Sequence, residues 1–473
     1  TILLRLRIGA PSRINVERQS VTPAPFVIEE RTLYSSDSWR FGLPTVATSG
    51  DRTTVVVYEG DEGDRHSAQR YQLRLQYDRA QGAVTGGASE ERDADTGNWR
   101  DHEIAALFNV LAVLDSGEGS VEVRLSFDRG ATFGQTHRVS AGGFNGRLIQ
   151  AAFAADYTLA CLFWRTGPDF TSELVLVEGR PSKTDGTGSP TEFAFDAPVV
   201  IERTSGDVTP VIMGTQYSSG GDLVVGYGYS QIVPNANANA IETKSQFRCA
   251  TRIFGETDFT NTLVEELISF SYDPSVALRG SGQGLEILYA YEAADGVRLA
   301  HSSDAGQSFS APVSLGDDTA HMPTVLWREQ GGAARADVVY LQRAPEGNEL
   351  HLAHWDDFDL ASAPATHRLS EAIRTPGAGS RGMGTTTSVA WLGYDATLEG
   401  DDVVVVFQEQ TYDFVDCLPM PMPAILGQPT LASSPQAAGF TPATPPPLAP
   451  GLTTAMPTPD PAHRNQLKLI RLD

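Results

Sequence analysis

The sequence predicts an all-β fold, a β-propeller of seven four-stranded blades with six as the alternative count, closed by strands from both termini. Three observations predict it. Short apolar runs rich in Val, Ile and aromatic residues recur along the chain, each flanked by Gly, Asp or Pro. An alternating apolar/polar stretch usually follows each run. Matching Asp positions recur at a near-constant spacing, with Asp128 lying 50 residues after Asp78 and Asp357 lying 53 after Asp304. Four strands per unit of roughly 50 residues is the arithmetic of a propeller blade.

The apolar runs are Thr53–Tyr58, Asn109–Leu114, Thr158–Trp164, Asp222–Tyr227, Glu286–Tyr291, Asp337–Leu341 and Asp402–Phe407. Ahead of them stands a shorter motif, Pro or Ser followed by Thr, Val or Ile: Pro44-Thr45-Val46, Pro210-Val211-Ile212, Ser275-Val276, Pro323-Thr324-Val325 and Ser388-Val389. Behind them come the alternating stretches Gln72–Gln76, Val121–Leu125, Val297–His301, Leu350–His354 and Gln466–Leu472. A fourth piece, Ala-Pro followed by β-formers, occurs at Ala24–Glu29, Ala197–Glu202 and Ala311–Leu315. Glu103–Leu114 comes nearest to a helical period, but its place in the repeat assigns it to strands. The last unit is split. Thr386–Val389 and Asp402–Phe407 supply its first two strands and Gln466–Leu472 its third. Its outer strand then comes from Ile2–Ile8 or Phe26–Glu30, which removes the open edge of the ring.

Composition narrows the function. The 473 residues carry a formal charge of -24, which disfavours nucleic acid as a partner, because phosphate binding needs basic patches. No uncharged apolar stretch is long enough for a membrane span. Three Cys exclude a disulfide scaffold and a Cys-rich zinc site. No cofactor motif stands out. His102 and His321 with Asp101, Glu103 or Asp273 could bind a divalent metal only by converging across the channel, and Cys417, Met420 and Met422 could hold Cu(I) but read better as packing, so neither cofactor nor metal is expected. Thr1 follows no basic-then-apolar leader, as in a processed chain.

Two segments fit Ser-x-Asp-x-Gly-x-x-Phe: Ser126, Asp128, Gly130 and Phe133, and Ser302, Asp304, Gly306 and Phe309. They resemble the Asp box of the sialidase-like, BNR-repeat superfamily of propellers. Physically the motif is a hairpin turn. The Asp accepts turn amides, the Gly takes positive φ, and the aromatic ring fills the space between neighbouring sheets. The resemblance implies a propeller, with these turns on the face away from the usual binding rim. It also implies an extracellular, cell-surface or periplasmic location.

The stretch from Trp39 through Asp61 resembles the first blade of sialidases. That resemblance makes Arg40 the binder of a substrate carboxylate and Asp61 or Asp64 the general acid. The spacing departs from the family's, with three residues between Arg40 and Pro44 where the family has one. His102 and His321, each opening an inner strand, are the candidate bases. Other rim candidates include Arg65, Asp101, Glu103, Arg147, Gln150, Asp207, Tyr272, Asp273 and Arg381, since paired acids and a His beside an Arg suit acid–base work on a sugar.

Two insertions fall on the rim face. Ser230–Ser245 reads as an exposed polar loop. The Pro-rich insertion 416–462, within the last blade of a single 1–473 domain, has no charged residue from Cys417 to Pro459. Such an arm is expected to bury its apolar groups on the propeller's own mouth or on another protein chain, the second being preferred. The expected function is a non-catalytic binding or scaffold propeller of a surface or secreted assembly, docked through 417–459. The alternative is a glycan-active enzyme, a sialidase-like hydrolase or polysaccharide lyase, working at the channel mouth; a glycan is then the second class of partner.

Overall fold

The structure, a computed structural model, describes residues 3–8, 14–19, 27–36, 39–61, 71–91, 102–117, 120–140, 147–166, 171–204, 208–210, 213–235, 240–268, 274–330, 333–344, 347–370, 394–410 and 465–473. These residues form seven antiparallel sheets and one separate hairpin, Leu3–Ile8 with Ile14–Gln19. From inner to outer strand, blade 1 is Trp39–Ser49, Arg52–Asp61, Tyr71–Asp78 and Ala83–Glu91. Blade 2 is His102–Leu107, Val110–Gly117, Ser120–Ser126 and Gln135–Arg138. Blade 3 is Arg147–Phe153, Leu159–Thr166 and Ser172–Thr184, with its outer edge shared by Pro190–Phe195 and Val199–Arg203. In blade 4, Val208–Pro210 and Gly214–Tyr217 share the inner position beside Leu223–Asn235, Ala240–Arg252 and Thr260–Leu267. Blade 5 is Ser275–Arg279, Glu286–Ala293, Gly296–Ser302 and Val313–Leu315. Blade 6 is Ala320–Gln330, Ala333–Ala344, Gly347–Trp355 and Ala365–Arg368. Blade 7 combines Tyr394–Glu399, Asp402–Gln410 and Asn465–Leu472 with the N-terminal strand Val27–Ser36.

The inner strands touch in cyclic order, and that of blade 7 packs on that of blade 1. The ring is therefore closed. Its core is not one mass but seven clusters, one at each blade junction. This explains the apolar runs. A second strand sits between two junctions, so both of its faces are buried and alternation disappears. In blade 2, Leu111 and Val113 pack toward blade 1, while Val110, Ala112 and Leu114 pack toward blade 3. All seven apolar runs read from the sequence are the second strands of the seven blades.

The closing strand is Val27–Ser36, which takes up most of the Phe26–Glu30 alternative; Leu3–Ile8 pairs instead with Ile14–Gln19. Its register sets Glu29 against Arg471 and Val27 against Leu472. Arg471 is 2% exposed. Its guanidinium reaches Glu399 at 2.5 Å, Asp402 at 3.5 Å and Glu29 at 3.6 Å. An Arg taken out of water requires such acids around it.

Two expectations are corrected. The inner strand of blade 7 is Tyr394–Glu399, which pairs directly with Asp402–Gln410; Thr386–Val389 lies outside the described residues. Ser230–Ser245 is not a loop but the far part of a long hairpin, whose ladder runs unbroken from Leu223/Arg252 to Asn235/Ala240. The alternating β-formers Ile232-Val233 and Ile241 carry the pairing past the point where sister blades turn. Of the Pro-rich segment, 411–464 lies outside the described residues, between the second and third strands of blade 7.

Candidate functional site

The seven inner strands enclose an axial channel of about 500 Å³. Its wall is made by Val46–Thr48, Glu103–Ala106, 150–153, 213–216, 274–277, 322–327 and 394–398. Small and apolar residues dominate, with a polar belt of Thr48, Glu103, Gln150, Gln216, Ser275, Thr324 and Asp395.

Most of this belt is tied across blade junctions. Asp395 Oδ2 accepts the Val46 amide at 2.7 Å, joining blade 7 to blade 1, and its Oδ1 accepts the Ala396 amide at 2.8 Å. Glu103 Oε2 accepts from Gln150 Nε2 at 3.1 Å, joining blades 2 and 3. Gln216 accepts the Leu278 amide at 3.1 Å, and Ser275 the Val325 amide at 3.1 Å. The Tyr394 hydroxyl donates to the Val339 carbonyl of blade 6 at 2.9 Å. Burial pushes the Asp395 carboxyl up to about 6, although the two amides favour its charged form.

Of the sequence-nominated residues, Arg147 opens the inner strand of blade 3 opposite Trp164, and the others fall into four groups. Glu103 and Gln150 are on the channel wall and bonded to each other. Arg40 and Asp61 lie at the same end of blade 1, where register pairs Arg40 with Gly60 and Trp39 with Asp61. Asp64, with Arg65, Asp101, Asp207, Tyr272, Asp273 and Arg381, lies outside the described residues. His102 and His321 are buried within the blades, not on the channel wall. His102 Nε2 donates to the Val56 carbonyl at 3.2 Å, and His321 Nδ1 to the Thr319 carbonyl at 2.9 Å. Among the described residues no group of three His, Cys, Asp or Glu is placed to hold a metal ion. Cys161 and Cys249 are buried free thiols, and burial pushes Cys249 up to about 12.

The two Ser-x-Asp-x-Gly-x-x-Phe segments form turns with matching hydrogen bonds between the third and fourth strands of blades 2 and 5. Ser126 Oγ donates to Asp128 Oδ1 at 2.7 Å, and Asp128 accepts the Thr132 amide at 2.8 Å and its hydroxyl at 2.6 Å. The second turn repeats these bonds from Ser302 and Ser308 to Asp304 at 2.8, 2.9 and 2.6 Å. Gly130 and Gly306 stand at φ +85° and +80°, where a side chain is strained. Phe133 and Phe309 pack into the junctions with blades 1 and 4. Desolvation opposes ionisation of Asp128 and Asp304, but the bonds from Thr132 and Ser308 outweigh it and hold both carboxyls below the ordinary range.

Asp395 was missed by sequence reasoning, because the inner strand was sought at the Ser-Val motif eight residues too early. The usable signal was Glu399-Gly400-Asp401-Asp402, which matches the blade 1 hairpin Ser49-Gly50-Asp51-Arg52.

No family of known proteins matches this chain, and no curated protein does. Among solved structures it is similar to the polysaccharide lyase Uly1, with 10% identity over 95% of this chain and all of that one, at a TM-score of 0.47. It is similar to a Trypanosoma rangeli sialidase, with 14% identity over 69% of this chain and a TM-score of 0.41; the chain spans 54% of that protein's length. A Dyadobacter fermentans protein of unknown function is similar at 12% identity, covering 68% of this chain and 96% of that one, at a TM-score of 0.42. That the chain is a propeller rests on its own seven sheets and the cyclic contacts of their inner strands. Among the described residues no helix is long and apolar enough to cross a membrane.

Proposed function

We propose that the chain is a non-catalytic binding and scaffold propeller, an extracytoplasmic component of a surface or secreted assembly, docked through 417–459. The turns at Asp128 and Asp304 are read as Asp boxes of this scaffold. The observation that carries the reading is how the channel acids are used. Glu103 and Asp395, the two carboxyl groups of the wall, both spend their oxygens on amides, and each stitches one blade to the next. Carboxyl groups engaged in that way tie the ring together, which is the role the scaffold reading gives them.

The second reading is a glycan-active enzyme, a sialidase-like hydrolase or polysaccharide lyase. The register of blade 1 favours it, because Arg40 and Asp61 share one strand end. There Arg40 would bind a substrate carboxylate, Asp61 or Asp64 would act as acid, and His102 or His321 as base. Sialidase and lyase assays on the purified chain, beside Arg40→Ala, separate the two. The scaffold reading expects no turnover by either protein. Turnover that Arg40→Ala abolishes overturns it.

A further inference from the structure

The hairpins joining inner to second strands carry an internal comparison. Two-residue turns close blades 1, 2 and 7, where Ser49 pairs with Arg52, Leu107 with Val110 and Glu399 with Asp402. The first turn residue is Gly50 at φ +64° and Gly400 at φ +64°, but Phe108 at φ +51° in blade 2. A longer turn closes blades 3 and 4. In blade 4 the Ser218 amide donates to Asp222 O at 2.8 Å and the Gly221 amide to Ser218 O at 3.0 Å. Blade 3 repeats both bonds, Ala154 to Thr158 at 2.8 Å and Tyr157 to Ala154 at 3.0 Å. Gly221 stands at φ +89°, and its counterpart Tyr157 at φ +67°.

Where sister blades use glycine, two neighbouring blades thus place an aromatic residue in the left-handed region. Such strain persists where the side chain serves something other than local folding. The two rings meet, with centroids 5.8 Å apart and planes at 58°. Phe108 remains 62% exposed, so core burial does not account for it. Both turns continue inner strands whose Ala106 and Phe153 line the channel, so the pair stands just past the channel's end, on the face of the Asp-box turns.

The surrounding charge selects the ligand. Arg129 pairs with Asp51 at 3.3 Å and is neutralised there. Exposed Asp156, adjacent to Tyr157, accepts the Thr158 amide at 2.9 Å, and among the described residues no cation pairs with it. The chain as a whole carries -24. Aromatic faces one residue along the chain from a carboxylate with no ion-pair partner among the described residues, in a strongly negative chain, attract a weakly hydrated cation. We propose that Phe108 and Tyr157 form a binding site for a quaternary or alkylated ammonium group, with Asp156 as its counter-charge.

Choline is the probe, titrated by calorimetry into the full chain beside its neutral carbon isostere and methyl glucoside. The expected result is salt-sensitive choline binding that neither neutral compound reproduces. Phe108→Gly and Tyr157→Gly each weaken it roughly three- to tenfold; with exposed Phe108→Gly the melting temperature holds or rises as strain is relieved, whereas Tyr157→Gly also loses packing on the blade 2–3 core. Phe108→Leu keeps the strain, loses the ring and also weakens binding. Phosphatidylcholine vesicles identify the source. Retention competed by free choline places the ammonium group on a lipid, and choline binding without retention places it on a solute. Absence of choline binding, equal binding of the neutral isostere, or preference for the glucoside overturns the proposal. So does a Phe108→Gly protein that melts earlier and binds choline unchanged.

Discussion

Asp395 gives the sharpest test of how the ring is sealed. It stands at the junction between blade 7 and blade 1, with its carboxyl on the Val46 and Ala396 amides. Burial raises it to about 6, against about 3.9 for an ordinary Asp. A gap of about two units is worth ~3 kcal/mol in full. The side chain keeps part of its surface on the channel, and solvent screening lowers this to about 1–2 kcal/mol. The sign follows from proton counting. A native state that holds its proton to higher pH than the unfolded chain is favoured at low pH. The contribution is therefore complete below about pH 4 and lost by about pH 6. Asp395→Asn has no such titration. Urea unfolding of both proteins across this range should show the wild type losing about 1–2 kcal/mol relative to the variant as pH rises. Parallel stability curves would refute the argument.

Asp128→Ala removes the charged acceptor of the Ser126 hydroxyl and of the Thr132 amide and hydroxyl and should cost about 1–3 kcal/mol in urea unfolding, with Asp304→Ala costing about the same. Because both carboxyls are held low, their contribution is present above about pH 4 and fades as pH falls, so acid should narrow the gap between wild type and either variant. His354 lies between two carboxylates, with Nδ1 2.7 Å from Asp337 and Nε2 3.0 Å from Asp356; the bond to Asp337 leads in raising its pKa. The advantage of wild type over His354→Gln should be complete below about pH 6.5 and decline as pH rises through the raised value, read from melting temperatures. Arg471→Met leaves buried Glu399 with only the half-exposed Arg79, 3.5 Å away, and should cost about 3 kcal/mol, the lower end for breaking a buried pair. Adding Glu399→Gln should recover part of that loss, which a double-mutant cycle measures.

The sequence exposed the strands that are buried on both faces, because nothing else produces Val-Val-Val-Val at 403–406 or Val-Val-Val at 55–57. The turns were equally legible, since Ser126, Asp128 and Gly130 each have one job that few residue types perform. Inner strands were harder to read. They are short, face a polar-belted channel on one side, and mix Ala, Thr and Gln with apolar residues, as in Glu103–Ala106 and Gly214–Tyr217. Blade 3 showed half of its outer edge: Ala197–Glu202 was legible, but Pro190–Phe195 was not, because Ser172–Thr184 is long enough to carry two partners in series. Asp395 illustrates the limit. Its significance lies in an amide of Val46 that is 349 positions away, a contact that no local pattern records.

Blade 7 also dictates when the molecule can be finished during synthesis. Its outer strand is made long before the strand it pairs with; Glu30 and Lys468, bonded at 3.3 Å, are 438 positions apart. As the ribosome works, Val27–Ser36 must wait with its apolar groups unshielded until Asn465–Leu472 emerges to seat it. Six blades can form along the nascent chain, but the circle is sealed only once 465–472 has been made, and a polypeptide cut short before 465 leaves that strand without its partner.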